Sequence, residues 1–212
     1  MTTPHFTLLV PVKDGRGAKT RLGEVGAAGR ADLMAAFARD AITAARATTL
    51  ADVVVVGDPD ALGPRAADLG VGIVPDEGAG DLNRALAAAA ARVARADRGV
   101  AVMLADLPCL RTVDLESALT EALALGVRAF VADAAGTGTT LLSAPPGVDL
   151  DPRFGRGSAQ AHAASGALPL AGGLASLRLD VDTTEDLDEA LRLGVGPDTA
   201  RVAAALDRRR SG

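Results

Sequence analysis

The 212-residue chain has one cysteine, Cys109, and only two lysines, Lys13 and Lys19. A single thiol excludes an internal disulfide and a cysteine-rich zinc centre, and it fits a reducing, cytoplasmic setting. Basic charge is scarce too: the formal net charge is −5. General affinity for nucleic acid or for an anionic membrane normally needs a basic face, so neither is expected as a partner. Hydrophobic residues make up 49% of the chain, but they are dispersed as alanine and valine rather than gathered in one block. None of the apolar runs approaches the roughly 20 residues of a membrane span. The start, MTTPHFTLLVPV, lacks the basic n-region and apolar length of a secretory signal, so a soluble cytoplasmic protein is expected. Neither the phosphate-loop spacing G-x-x-x-x-G-K-[ST] nor the dinucleotide spacing G-x-G-x-x-G occurs. An anionic ligand would therefore have to be captured by a local cluster of another design.

What is present is an alternation of short β-branched or leucine-rich runs with long alanine-rich segments, the pattern of a largely parallel sheet with crossover helices. The length suits one α/β domain spanning residues 1–212. Strands are predicted at Thr7 to Val10, Val53 to Val56, Gly72 to Val74, Val100 to Leu104 and Ala129 to Val131. Helices fit between them at Arg30 to Ala47, Asp60 to Leu69, Leu82 to Ala94 and Val113 to Leu125. After Asp133 the rhythm changes, and residues 134–180 read as an insertion that walls the site. Within and after it, GTGTTLLSAPP reads as a short strand, DPRFGRGS as a loop, and LRLDVDTTEDLDEALRL as a strand followed by a capped helix. The terminal DRRRSG, with residues 209–212 at its end, reads as a frayed tail. In such a sheet ligands collect at the carboxyl ends of the strands, near the point where strand order reverses.

The loops at those strand ends hold the candidates. Leaving the first strand, PVKDGRGAKTRL combines Gly15 and Gly17 with Lys13, Arg16, Lys19 and Arg21, which reads either as a polyphosphate cradle or as a solvated basic turn. ADLP puts Asp106 at the end of a buried-looking strand, where a carboxylate can hold Mg²⁺, shape a turn, or cap the helix at Val113. In LDVDTTEDL, Asp180 and Asp182 alternate on one face of the expected strand, so Asp182 is a possible second metal ligand. Thr183 or Thr184 can cap the helix that follows, with Glu185 and Asp186 in its first turn. DPRFGRGSAQAH places Arg153, Arg156, two glycines and Ser158 before a helix start, where unpaired N–H groups can meet an anion. His162 shares a face with Ser158, and a satisfied structural role suits it better than ligation. Thr139 or Thr140 could add hydroxyls to the same pocket. In EGAGDLNRAL, Asp81 reads as an N-cap, whereas Asn83 is an amide that could read a base or ribose.

Taken in order, PVK...AKTRL, GDLN, ADLP, GTGTTLL, PRFGRGS...H and DVDTTEDL resemble the phospholactate/phosphoenolpyruvate guanylyltransferases of deazaflavin coenzyme F-420 biosynthesis. The resemblance runs from about residue 7 to residue 193. It implies a Rossmann-like nucleotidyltransferase fold, a three-layer α/β/α sandwich with a mostly parallel sheet. The glycine-rich LAGG opening of the related molybdenum-cofactor and sugar-nucleotide enzymes is replaced here by VPVKDGRGAKTRL, which favours the deazaflavin branch. The reaction implied joins GMP from GTP to phosphoenolpyruvate, or to 2-phospho-L-lactate, and releases pyrophosphate. By the same resemblance Thr140, Gly155 and Ser158 bind the acceptor's phosphate, and Asp106 with Asp182 holds the metal. Thr20 stands where the family often has serine, and Cys109 where it often has alanine, which suits a packing residue.

On this reading Lys13, Lys19 and Arg21 hold the triphosphate, Asn83 contacts the nucleoside, and Mg²⁺ is the cofactor. No general base is required, because the attacking phosphate is already ionised near neutral pH. The partners implied are GTP and a small phosphorylated three-carbon acid. A homodimer, and hand-over of the product to a downstream transferase, are compatible with the resemblance. Two other readings remain open from sequence: transfer to another acceptor such as 3-phosphoglycerate, a molybdopterin or a sugar phosphate, and a non-catalytic nucleotide sensor.

Overall fold

The computed structural model describes residues 5–12 and 26–210. Lys13, Arg16, Lys19, Thr20 and Arg21, with the glycines between them, lie outside the described residues. Seven strands form one sheet: β1 (His5–Pro11), β2 (Ala51–Gly57), β3 (Gly72–Pro75), β4 (Arg98–Met103), β5 (Ala129–Ala132), β6 (Thr139–Ala144) and β7 (Leu168–Pro169). Their order is β3-β2-β1-β4-β6-β5-β7. Strands β1 to β4 are parallel, β6 runs antiparallel between β4 and β5, and β7 pairs parallel with β5. The chain moves outward from β1 to β3, then returns to lay β4 on the other side of β1. Strand order thus reverses between β1 and β4, and it is at such a reversal that an α/β sheet opens a crevice.

Side chains alternate across the sheet, and each parity has its own core. Leu8, Val10, Val53, Val55, Ala101 and Met103 pack beneath α1 (Ala27–Arg46), α2 (Pro59–Asp68) and α4 (Thr112–Leu125). Leu9, Val102, Phe130 and Leu142 face the other way, under α3 (Leu82–Val93) and α5 (Ser158–Ala164). Each buried leucine or valine contributes about 1.5–3 kcal/mol, so a register slip that exchanged the two parities would forfeit most of the drive to fold. The arrangement is the expected three-layer sandwich.

Three expectations are corrected. Residues 179–183 form no strand, because the short helix α6 (Ala175–Arg178) and the capped start of α7 (Thr184–Leu193) leave too few residues for a ladder. Residues 139–144, counted within the walling insertion, are β6 in the interior of the sheet. The expected tail from Asp207 is, as far as Arg210, the last turn of a helix that the sequence reading did not place, α8 (Pro197–Arg210). Its N-terminus is capped from another element: buried Asp40 on α1 accepts from the Asp198 and Thr199 amides at 3.1 and 2.8 Å. Pro197 at the first helical position was the available signal.

Candidate active site

Three carboxylates meet where β4 ends. Leu104 N donates to Thr140 O at 2.9 Å, the last sheet contact before the chain leaves β4. Asp106 follows, and its carbonyl accepts from Val181 N at 3.0 Å. That bond fastens the 179–183 segment to the strand tip. Val181 is fully buried among Leu33, Phe37 and Leu187, so Asp180 and Asp182 on either side of it are both turned toward Asp106. One carboxylate oxygen from each of Asp106, Asp180 and Asp182 lies within 4.8 Å of the others. The alternation expected of a strand is kept although no strand forms. Asp106 does not cap the next helix, since α4 has Arg111 at its N-cap position.

The electrostatics follow from this crowding. Burial, then the charges of Asp106 and Asp182, push the Asp180 carboxyl up to about 7. Three hard oxygen donors that repel one another form a donor set suited to a divalent cation of the Mg²⁺ type, and Asp180 joins the two aspartates expected from sequence.

The carboxylates border a cavity of about 600 Å³ whose other walls include Asp133, Thr137, Thr139, Gly155, Arg156 and Ser158. Asp133, at the end of β5, folds its own wall: its carboxylate accepts from the Thr137 and Gly138 amides at 2.8 and 2.7 Å. A Cβ on Gly138 would fall 2.4 Å from Asp133 Oδ2, so a larger residue there would push the Asp133 carboxylate aside. The sequence reading missed Asp133, although an acid at the end of a strand is the signal that marked Asp106.

The DPRFGRGS loop forms the facing wall. Asp151, at φ +47°, accepts from Arg128 at 2.8 Å and Arg153 at 3.1 Å. Phe154 is buried, and beyond it Gly155 takes φ +134°, a conformation closed to other residues without strain. Ser158 is buried at the first position of α5. At this helix start two amides are engaged within the protein: Ser158 N donates to Gly155 O and Ala159 N to Thr137 O, both at 3.1 Å. What Ser158 brings to the cavity is its hydroxyl. Thr140, at the register shift between β5 and β6, turns its hydroxyl toward Val131 O at 3.4 Å, while its neighbour Thr139 lines the cavity.

Asn83 and His162 serve this loop. Asp81 caps α3 as expected, accepting from Asn83 N and Arg84 N. The Asn83 carboxamide, expected to contact the nucleoside, is instead engaged with one peptide residue, accepting from Phe154 N at 2.6 Å and donating to Phe154 O at 2.9 Å. His162, fully buried, accepts from Arg153 N on Nε2 at 2.9 Å, which puts the proton of the neutral ring on Nδ1, 2.9 Å from Thr139 Oγ1. Burial pushes this imidazole down to about 4. His162 has the satisfied structural role expected.

Another groove, of about 660 Å³, lies between α1, α2 and α8 and, among the described residues, holds no such carboxylate cluster.

Three comparisons bear on this site. Residues 6–203 match the family described as "Guanylyl transferase CofC like". Among curated proteins, the phosphoenolpyruvate guanylyltransferase of Streptomyces avermitilis is 52% identical over 208 residues, covering 95% of each chain. That of Thermomonospora curvata is 48% identical over 95% of this chain and 90% of its own. Among solved structures, a putative nucleotide-diphospho-sugar transferase from Desulfovibrio desulfuricans G20 superposes with a TM-score of 0.72 at 23% identity, over 97% of this chain and 98% of that one. CMP:2-keto-3-deoxy-manno-octonic acid synthetase follows with 0.54 at 13% identity, over 89% and 98%. At these identities the likeness is one of fold.

Proposed function

The chain belongs to the CofC-like guanylyl transferase family, and from that premise we propose that it joins GMP from GTP to phosphoenolpyruvate and releases pyrophosphate, as a step of coenzyme F-420 biosynthesis. The observation that carries the reading is the convergence of Asp106, Asp180 and Asp182 in the wall of a cavity that the Gly155 to Ser158 turn also lines.

A phosphate oxygen of the acceptor attacks the α-phosphorus of GTP, forming one P–O bond. The bond from that phosphorus to the bridging oxygen breaks, and its electron pair leaves with pyrophosphate. Both reactants are anions, and two unit charges 4 Å apart repel by about 4 kcal/mol at an effective dielectric near 20. Asp106, Asp180 and Asp182 would hold Mg²⁺, which supplies counter-charge at the reacting phosphates. Lys13, Lys19 and Arg21, in the loop that follows β1, hold the triphosphate. Ser158, Gly155 and the Thr139–Thr140 end of β6 receive the acceptor's phosphate. Arg156, the one cation among the described residues of the cavity wall, faces its carboxylate. No side chain has to take a proton, since the nucleophile is already ionised, and catalysis rests on orientation and charge.

The test is mass analysis of products from GTP and Mg²⁺ with phosphoenolpyruvate, 2-phospholactate or 3-phosphoglycerate, with a downstream transferase present to trap an unstable adduct. A phosphoenolpyruvate adduct with stoichiometric pyrophosphate is expected. Preference for another acceptor redirects the reading, and pyrophosphate release with none of them returns the protein to a nucleotide-binding role.

A further inference from the structure

We infer that Asn83 and His162 are positioning residues for the acceptor: from α3 and α5 they hold consecutive peptide groups of the 152–157 loop and so fix where the acceptor's phosphate is received. The inference deepens the proposed function and rests on the cavity being the acceptor site. Asn83 bonds both the N–H and the C=O of Phe154, as a partner strand would. Only a side chain with a donor and an acceptor on one terminal plane does this. His162 takes the Arg153 N–H and returns its Nδ1 to Thr139 on β6, so the loop and the strand end beside it are tied to one ring. The ring also lies 5.2 Å from Phe154 in an edge-on contact and 5.9 Å from Phe130.

The loop needs such outside restraint. Gly155 and Gly157 both sit at positive φ, with nothing within 4 Å of where a Cβ would stand, so no packing at these two residues holds the turn. The two ties act one and two residues before Gly155, and a loop released from them would present the Ser158 hydroxyl and the glycine backbone in several arrangements. The consequence falls on the acceptor and spares the nucleotide, whose expected triphosphate ligands follow β1.

The test combines kinetics with hydrogen exchange on the full chain, using Asn83→Asp, Asn83→Leu, His162→Gln and His162→Leu. The expected result is a KM for phosphoenolpyruvate raised by about tenfold or more, with the KM for GTP within about twofold of wild type. His162→Gln, which keeps an acceptor and a donor, should stand nearer wild type than His162→Leu. A residue needed only for folding would lower the active fraction and leave both KM values alone, so that outcome overturns the inference, as does an equal rise in both. The Arg153 and Phe154 amides should exchange about tenfold faster in the variants, and unchanged exchange overturns the inference whatever the enzyme does. Should the wild-type protein transfer GMP to no three-carbon phosphate, the functional reading falls, and the exchange measurement still decides whether these two side chains hold the loop.

Discussion

Burial and the charges of Asp106 and Asp182 push the Asp180 carboxyl up to about 7, whereas burial pushes the His162 imidazole down to about 4. An acid raised on folding favours the fold below its ordinary value of 3.8, and that advantage is lost as pH rises toward 7. A base lowered on folding favours the fold above its ordinary 6.5, and that advantage is lost as pH falls toward 4. The two slopes oppose each other over much the same window, each by about 1–2 kcal/mol once partial solvation is allowed for. We expect metal-free protein to show a shallow dependence of urea midpoint on pH between about 4 and 7. Asp180→Asn should become more stable as pH rises through that window, and His162→Gln less stable; an Asp180→Asn profile like the wild type's would show that the carboxyl is not crowded as described. Millimolar Mg²⁺ should restore stability at the upper end in wild type and have little effect in Asp180→Asn. Cys109 is a further residue-scale case. Its thiol is buried, donates to Ala190 O at 3.2 Å, and is pushed up to about 11. It should resist thiol reagents at pH 8 in the native protein and react at once in urea, and Cys109→Ala should keep wild-type turnover.

Among the elements, α8 shows how far a helix can depend on a distant residue. Its first amides are satisfied by Asp40, 158 and 159 positions earlier in the chain. Asp40→Ala would leave two N–H groups without that acceptor beside a buried Thr199, at a cost of about 2–3 kcal/mol. The urea midpoint should fall accordingly, with both KM values unchanged, and Asp40→Asn should lie between. Local capping was more legible. Of the two threonines expected as caps of α7, Thr183 is the cap, and Asp186 returns the bond in a reciprocal box; Asp81 caps α3, because such bonds join residues two or three apart. The strand expected before α7 failed for the opposite reason: a ladder needs a run of paired residues, whereas this segment is fastened to the strand tip through the Val181 N to Asp106 O bond.

At the scale of the whole molecule, the described residues share one sheet whose two faces and flanking helices are each packed. Since β6 lies between β4 and β5, the stretch from 134 to 180 has no separate core, and one calorimetric unfolding transition is expected. Two resolved transitions would mean that the insertion folds alone. Several features were fixed along the chain: the alternation of strands and helices, the strand-end position of Asp106, the N-caps, and the family. Each depends on neighbouring residues or on ordered motifs, and periodicity and propensity act over those distances. Only the tertiary structure decided that Asp180 joins Asp106 and Asp182, that the Asn83 carboxamide bonds both backbone groups of Phe154, and that Asp40 caps α8. Those outcomes turn on which side chains meet after the sheet has assembled, and a carboxylate or carboxamide carries no mark in sequence of the partner that folding will bring to it.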